Sequence, residues 1–115
     1  MKSLKCILLA VCTFFAAHVF AQEKTDTIKV SGECGMCKNR IQKALKLEGI
    51  SSATWDTETK LLTVSYNPAV ITNDDIQKKV AVVGHDTEKF KAEDAVYNKL
   101  PGCCKYERKQ TPSKN

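Results

Sequence analysis

Histidine, proline and glycine are all scarce in this chain. Its 115 residues hold two histidines, three prolines and five glycines. No serine, histidine and acid fall into a nucleophilic pattern, and no glycine-rich loop is available to cradle a phosphate, which removes the common hydrolase and nucleotide-binding classes. There is no internal repeat and no low-complexity tract. Lysine and arginine number 18 against 13 acidic residues, a net charge of +5. They are spread along the chain rather than clustered with aromatics, which argues against nucleic acid as a partner. The length excludes two conventional domains with separate cores. What the chain does have is cysteine, six in all.

Two of the six belong to the N-terminus. Lys2 and Lys5 make a short basic stretch, Cys6 to Ala17 is almost continuously apolar, and Val19-Phe20-Ala21 ends in the small residues a signal peptidase reads. This is the layout of a secretory leader, residues 1–21, cleaved after Ala21. The apolar run is short for a membrane span. A lipid anchor at Cys12 fits less well, because Val11 is a poor residue ahead of it. Removal of the leader takes Cys6, Cys12 and His18 and lowers the net charge to +3, since Lys2 and Lys5 leave with it. Cys34, Cys37, Cys103, Cys104 and His85 remain, in an extracytoplasmic, periplasmic compartment where disulfides are permitted.

Along the exported chain, Ile28 and Val30 alternate with polar residues over 27–31, a half-buried strand. Cys37, Ile41, Ala44 and Leu45 recur at helical spacing and Gly49 follows as a stop. Ala53 and Trp55, then Leu62, Val64 and Tyr66, alternate on either side of an Asp56-Thr57-Glu58-Thr59 turn, which predicts a hairpin. Thr72 or Asn73 caps a second helix with Ile76, Val80 and Val83 inward and Gly84 at its end. Residues 87–92 read as a last, charge-rich edge strand. The order is β-α-β-β-α-β, an α+β ferredoxin-like sandwich with an antiparallel sheet and two helices on one face. Residues 93–104 add a short helix and Cys103-Cys104, and residues 105–115 read as a disordered basic tail.

Cys34-Gly35-Met36-Cys37 falls where the first strand turns into the first helix. That spacing lets two sulfurs share one ion, and a helix N-terminus lowers the thiol pKa and stabilises negative charge. Two thiolates suit a soft ion of low coordination number such as Cu(I). A plain disulfide and a redox pair are the competing uses. Met36 is either a thioether ligand or a packing side chain. Adjacent Cys103 and Cys104 do not readily bond to each other. They are left to pair with Cys34 or Cys37, to complete a three- or four-thiolate site, or to bind metal with a second molecule.

The stretch from Cys34 to Leu45, followed by Leu47-Glu48-Gly49-Ile50, Thr63 to Pro68 and Val83 to Asp86, resembles the heavy-metal-associated domain family over residues 26–92. That family includes copper chaperones, domains of copper-exporting ATPases and the periplasmic mercury scavenger. The resemblance implies the ferredoxin-like fold and maps the family's two motif cysteines onto Cys34 and Cys37. It puts residues 22–92 in one domain. It also brings the loop carrying His85 beside the metal loop, where His85 is a candidate ligand or a solvated loop histidine. Cys103 and Cys104 would be carried back toward the site, and at least one of them is expected to be a ligand. The chain departs from the family in having Gly32 two places before Cys34, where Met is usual, and His85 where an aromatic is common.

Function then reads as an exported metallochaperone or sequestrant, not an enzyme. Cu(I) is the first choice of ion, Hg(II) the next, and Zn(II) gains if all four thiols converge. The expected partners are a membrane metal transporter or another metal-binding protein, and the chain would be a monomer or a metal-bridged dimer. Lys38, Arg40 and Lys43 are placed to steer an acidic partner, or simply to solvate a helix face. The rival classes are a thiol-disulfide oxidoreductase using Cys34 and Cys37, and a domain stapled by disulfides. Against the oxidoreductase, thioredoxin-like domains are longer, and Pro68, Pro101 and Pro112 are not placed to face the dithiol.

Overall fold

The structure, a computed structural model, describes residues 22–108. The expected leader, residues 1–21, and residues 109–115 of the expected tail lie outside the described residues.

Three strands form the sheet: β1 (Lys24–Lys29), β2 (Ile50–Trp55) and β3 (Leu61–Tyr66), in the order β1-β3-β2 with both pairings antiparallel. The two-residue period sends Ile28, Leu62, Val64 and Tyr66 into the core, with Ile28 directly across from Leu62. The β2–β3 turn closes on Asp56, whose Oδ1 accepts the N–H groups of Glu58 and Thr59 at 2.7 and 3.0 Å.

Helices α1 (Gly35–Ala44) and α2 (Asn73–Val82) cover one face of the sheet. Helix α1 buries Cys37 and Ile41, and α2 buries Ile76 and Val80, spacings that put each pair on one helical face. Thr72 caps α2: its Oγ1 accepts the Asp75 N–H at 3.1 Å and the Asp75 carboxylate accepts the Thr72 N–H at 3.3 Å. Trp55 lies at the centre with no solvent exposure, and its Nε1–H donates to the Val30 carbonyl at 3.0 Å. The ring fixes the chain just before the Cys34 loop.

The fourth strand expected over 87–92 is reduced to one antiparallel bridge between Val30 and Thr87. Side chains take the ladder's place. Glu88 accepts the Lys29 N–H at 2.7 Å, Gln77 accepts the Lys89 N–H at 3.0 Å, and Asp86 accepts the Ala92 N–H at 2.8 Å. The Thr87 N–H closes a turn on the Phe90 carbonyl at 2.7 Å. With these backbone donors satisfied locally, nothing is gained by running on beside β1.

The chain instead folds back through α3 (Asp94–Asn98) and a 3-10 turn (Gly102–Cys104). The expectation of disorder from residue 105 is corrected here. Tyr106 is 2% exposed, and its hydroxyl donates to the Gly84 carbonyl at 2.8 Å while accepting the Asp86 N–H at 3.0 Å. Gly84 stands at φ +109°, and a Cβ there would approach Leu100 Cδ2 to 2.9 Å, so glycine is needed both for the backbone and for the returning segment. Arg108 bonds both Asp86 oxygens, at 2.9 and 3.0 Å, and adds Asp94 at 2.8 Å and the Ala92 carbonyl at 2.7 Å. The described part of the polar tail, residues 105–108, is thus held by a buried aromatic and a bidentate ion pair.

Candidate metal centre

Cys34 occupies the N-cap position of α1 with extended backbone, φ −130° and ψ −179°, and Cys37 follows in the first turn. That geometry turns both sulfurs to the same side, 3.8 Å apart. Cys104 arrives from the 3-10 turn with its Sγ 3.7 Å from Cys34 Sγ. The three sulfurs of Cys34, Cys37 and Cys104 all lie within 4.8 Å of one another. Cys37 and Cys104 are fully buried and Cys34 is partly exposed.

The two motif thiols differ in acidity. The Cys37 N–H beside Cys34, acting against a smaller desolvation, holds the Cys34 thiol down to about 7. Burial pushes Cys37 up to about 11, and the neighbouring Cys104 thiol adds to the rise. Cys34 is therefore the more acidic of the two motif thiols, and Cys37 holds its proton at neutral pH. A positive charge is already in place: Arg40, one turn along α1, donates from Nη1 to Cys104 Sγ at 3.2 Å.

Cys103 and His85 take different positions. Cys103 is exposed, its Sγ 3.9 Å from Cys104 Sγ and 3.3 Å from Met36 Sδ. It sits at the rim rather than within the set of three. His85 is buried and lies outside that set. Its Nδ1 is 2.9 Å from the Ser31 carbonyl, so Nδ1 carries the proton and Nε2 is left with a lone pair and no partner. Its ring stacks on Tyr106 at 5.6 Å. Burial, and then Arg40, keep its pKa below the usual value and the ring neutral.

Gly32 has a steric reason. A Cβ there would stand 2.8 Å from Trp55 Cη2 and 3.3 Å from Cys37 Cβ. The larger residue usual in the family would collide with a rigid indole.

Sequence reasoning did not find the anchor that presents Cys104, namely Tyr106, Asp86 and Arg108. Its one visible signal is an aromatic two residues after Cys104 in an otherwise polar stretch. Arg40 stood out only as a charge on a helix face, and its contact with a thiol 64 residues away has no local signature.

Comparison with known proteins agrees with this fold. The chain is 38% identical over 56 residues to a copper-exporting P-type ATPase of Staphylococcus saprophyticus, a match that covers 48% of the chain and 7% of that protein. It is 33% identical over 63 residues to the copper chaperone CopZ of Staphylococcus epidermidis, covering 53% of the chain and 93% of the chaperone. The solved N-terminal soluble domains of Bacillus subtilis CopA superpose with a TM-score of 0.55 at 30% identity, covering 59% of this chain and 48% of that one. The chain thus spans only a small part of the ATPases it matches. Residues 27–86 match the heavy-metal-associated domain, so Cys103, Cys104, Tyr106 and Arg108 lie beyond the match. By that match, which takes in Cys34, Cys37, β2, β3 and the second half of β1, this chain belongs to the heavy-metal-associated domain family.

Proposed function

We propose that this protein is an exported carrier or sequestrant of a soft metal ion, Cu(I) before Hg(II) or Zn(II), and that Cys34, Cys37 and Cys104 hold the ion as three thiolates. The observation that carries the reading is the triangle of sulfurs, with separations of 3.7 and 3.8 Å on two sides. With metal–sulfur bonds of about 2.3 Å, three sulfurs around one ion stand about 4 Å apart, whereas two in a linear complex stand about 4.6 Å apart. The observed spacing suits three-coordination, which Cu(I) accepts readily. The copper proteins among the relatives support the same ion.

Each residue has a part. Cys34, with its lowered pKa and partial exposure, bonds the ion on the solvent side of the triangle. Cys37 and Cys104 close around the ion and shut out water, their protons leaving as the bonds form. A monovalent ion with three thiolates carries a net charge of −2. Arg40 and the start of α1 offset it. Delivery to a membrane metal transporter or another metal-binding protein would proceed by exchange of one sulfur at a time, beginning at Cys34, which is the thiolate open to solvent. The leader read at residues 1–21 supports a periplasmic setting for this work. Among the described residues no helix is long and apolar enough to cross a membrane.

The same acidity pattern favours a second reading, a thiol-disulfide oxidoreductase, because an acidic thiol beside a buried one is what disulfide exchange uses. Native mass spectrometry under reducing conditions with Cu(I), Zn(II) and Hg(II) tests the first reading. One tightly held Cu(I) is expected, absent from Cys34→Ser/Cys37→Ser. Retention of that ion by the double variant refutes it, and rapid reduction of insulin by the metal-free protein would favour the second.

A further inference from the structure

The thiols do not exhaust the sulfur at this end of the molecule. Met36, between the two motif cysteines, is 51% exposed, and its Sδ accepts a hydrogen bond from Cys103 Sγ at 3.3 Å. From Cys103 the next sulfur is Cys104 at 3.9 Å, then Cys34 at 3.7 Å, then Cys37 at 3.8 Å. Five sulfurs therefore form an unbroken row, from a thioether in solvent to a thiol with no exposure, and no step exceeds 3.9 Å.

We propose that Met36 Sδ and Cys103 Sγ form an outer soft-ion site, sharing Cys104 Sγ with the inner three, and that a monovalent soft ion enters through it. This deepens the function proposed above and rests on it. The inner thiols Cys37 and Cys104 are fully buried, so an ion still held by a delivering ligand cannot meet them first. Cys34 is only partly exposed, and Met36 and Cys103 stand outside it as the outermost sulfurs an arriving ion can meet. A neutral thioether binds soft Cu(I) well and hard or borderline ions poorly, so the outer site selects at the door. With one thioether and one thiolate it also holds the ion less tightly than three thiolates, which sets the direction of travel inward.

The steps balance without any change in oxidation state. At entry, bonds from the ion to Met36 Sδ and Cys103 Sγ replace bonds to the delivering ligand, and the Cys103 proton passes to solvent. Cys104 Sγ then binds as its proton leaves, with Arg40 Nη1 already beside it. The Met36 bond breaks next, Cys34 binds as thiolate with any proton it holds passing to solvent, Cys103 leaves and regains a proton, and Cys37 binds last with loss of its own. The ion remains monovalent throughout, and each incoming sulfur lies within 3.9 Å of one already bonded to the ion.

The test is Cu(I) uptake by the full chain, reduced, with Cys6→Ser and Cys12→Ser in every sample so that only the four later thiols report. Stopped-flow transfer from a chromophoric Cu(I) chelator gives the rate, equilibrium competition gives the affinity for the first ion, and native mass spectrometry at two equivalents reports a second. In Met36→Leu/Cys103→Ser we expect uptake slowed about tenfold, the span over which association rates commonly vary among related variants, with first-ion affinity retained. We also expect the second ion to be lost. Met36→Leu alone, at a half-exposed position, should slow uptake in the same direction and covers the case in which the double variant folds poorly. Unchanged uptake in both variants overturns the proposal, as does retention of the second ion by the double variant. Cys34→Ser/Cys37→Ser separates the two claims: if it keeps the tight first ion, the carrier reading itself fails and the entry site falls with it.

Discussion

Arg40 and Cys104, 64 residues apart, are joined by a 3.2 Å hydrogen bond from the guanidinium Nη1 to Sγ. The bond links helix α1 to the 3-10 turn and stations a fixed positive charge at the thiol that completes the triangle. Arginine is suited to this because it keeps its charge when partly buried. Replacing Arg40 with Leu is expected to weaken Cu(I) binding by about tenfold, the lower end of what loss of a ligand's hydrogen-bond partner costs. Lysine at this position should recover part of the loss. Competition against a Cu(I) chelator measures both, and equal affinity in Arg40→Leu would remove Arg40 from the site.

The unequal acidity of the motif thiols has a direct readout. Thiolates alkylate and thiols do not, so reactivity rises with pH as each proton leaves. In the reduced, metal-free protein Cys34 should be modified with a midpoint near pH 7, while Cys37, pushed up to about 11, stays protected. Peptide mapping after timed iodoacetamide pulses distinguishes them. Modification of Cys37 ahead of Cys34 would contradict the assignment.

The anchor below Cys104 should matter to stability. Tyr106→Phe removes the hydroxyl between Gly84 O and Asp86 N and leaves both without that partner in the interior, at a cost of about 1–3 kcal/mol. Asp86→Asn breaks a largely buried pair with Arg108 and should cost roughly 3 kcal/mol at neutral pH. Burial raises the Asp86 pKa, but Arg108 and the Ala92 N–H more than reverse this, so it lies below its ordinary 3.8 in the fold. A depressed carboxyl pKa gives stability that is complete above the unfolded value and is lost as pH falls through the folded one. The difference between parent and Asp86→Asn in urea unfolding should therefore hold from pH 7 to 5 and shrink below about pH 4. A difference that grows in acid would refute the assignment.

Gly32→Ala places a methyl group 2.8 Å from the Trp55 ring and 3.3 Å from Cys37 Cβ. Overpacking of this kind typically costs about 1–3 kcal/mol. Because the strain falls between the central tryptophan and a candidate ligand, the variant should lose metal affinity along with melting temperature. Trp55 fluorescence reports the displacement, and an unperturbed spectrum with parental affinity would show that the ring can move aside.

Much of the fold is readable from residue spacing. Ile28 and Val30, then Leu62, Val64 and Tyr66, carry a two-residue period that only a half-buried strand satisfies. Thr72 with Asp75 spells a helix start, and Cys34 and Cys37 fall at the strand-to-helix turn because Cys37 begins the helical period that continues at Ile41. The segment 87–92 misleads for a physical reason. Lys89, Phe90 and Lys91 alternate as an edge strand would, but the decisive partners are Glu88, Gln77 and Asp86, whose side chains capture the backbone donors through contacts set by the tertiary fold. The tail misleads in the same way. Tyr106 and Arg108 stand among polar neighbours, and their burial depends on Gly84 and Asp86 more than twenty residues earlier in the chain.

Under the three-thiolate proposal, the seat of Tyr106 also sets how many sulfurs an ion can have. Cys104 is at the site only while residues 93–108 are docked, so the affinity seen from outside is the intrinsic three-sulfur affinity scaled by the docked fraction. A protein that competes for the Tyr106 seat would withdraw one ligand without touching Cys34 or Cys37, leaving the ion on two sulfurs and open to exchange. On that proposal, release would then be governed at the Tyr106 seat, away from the motif cysteines themselves.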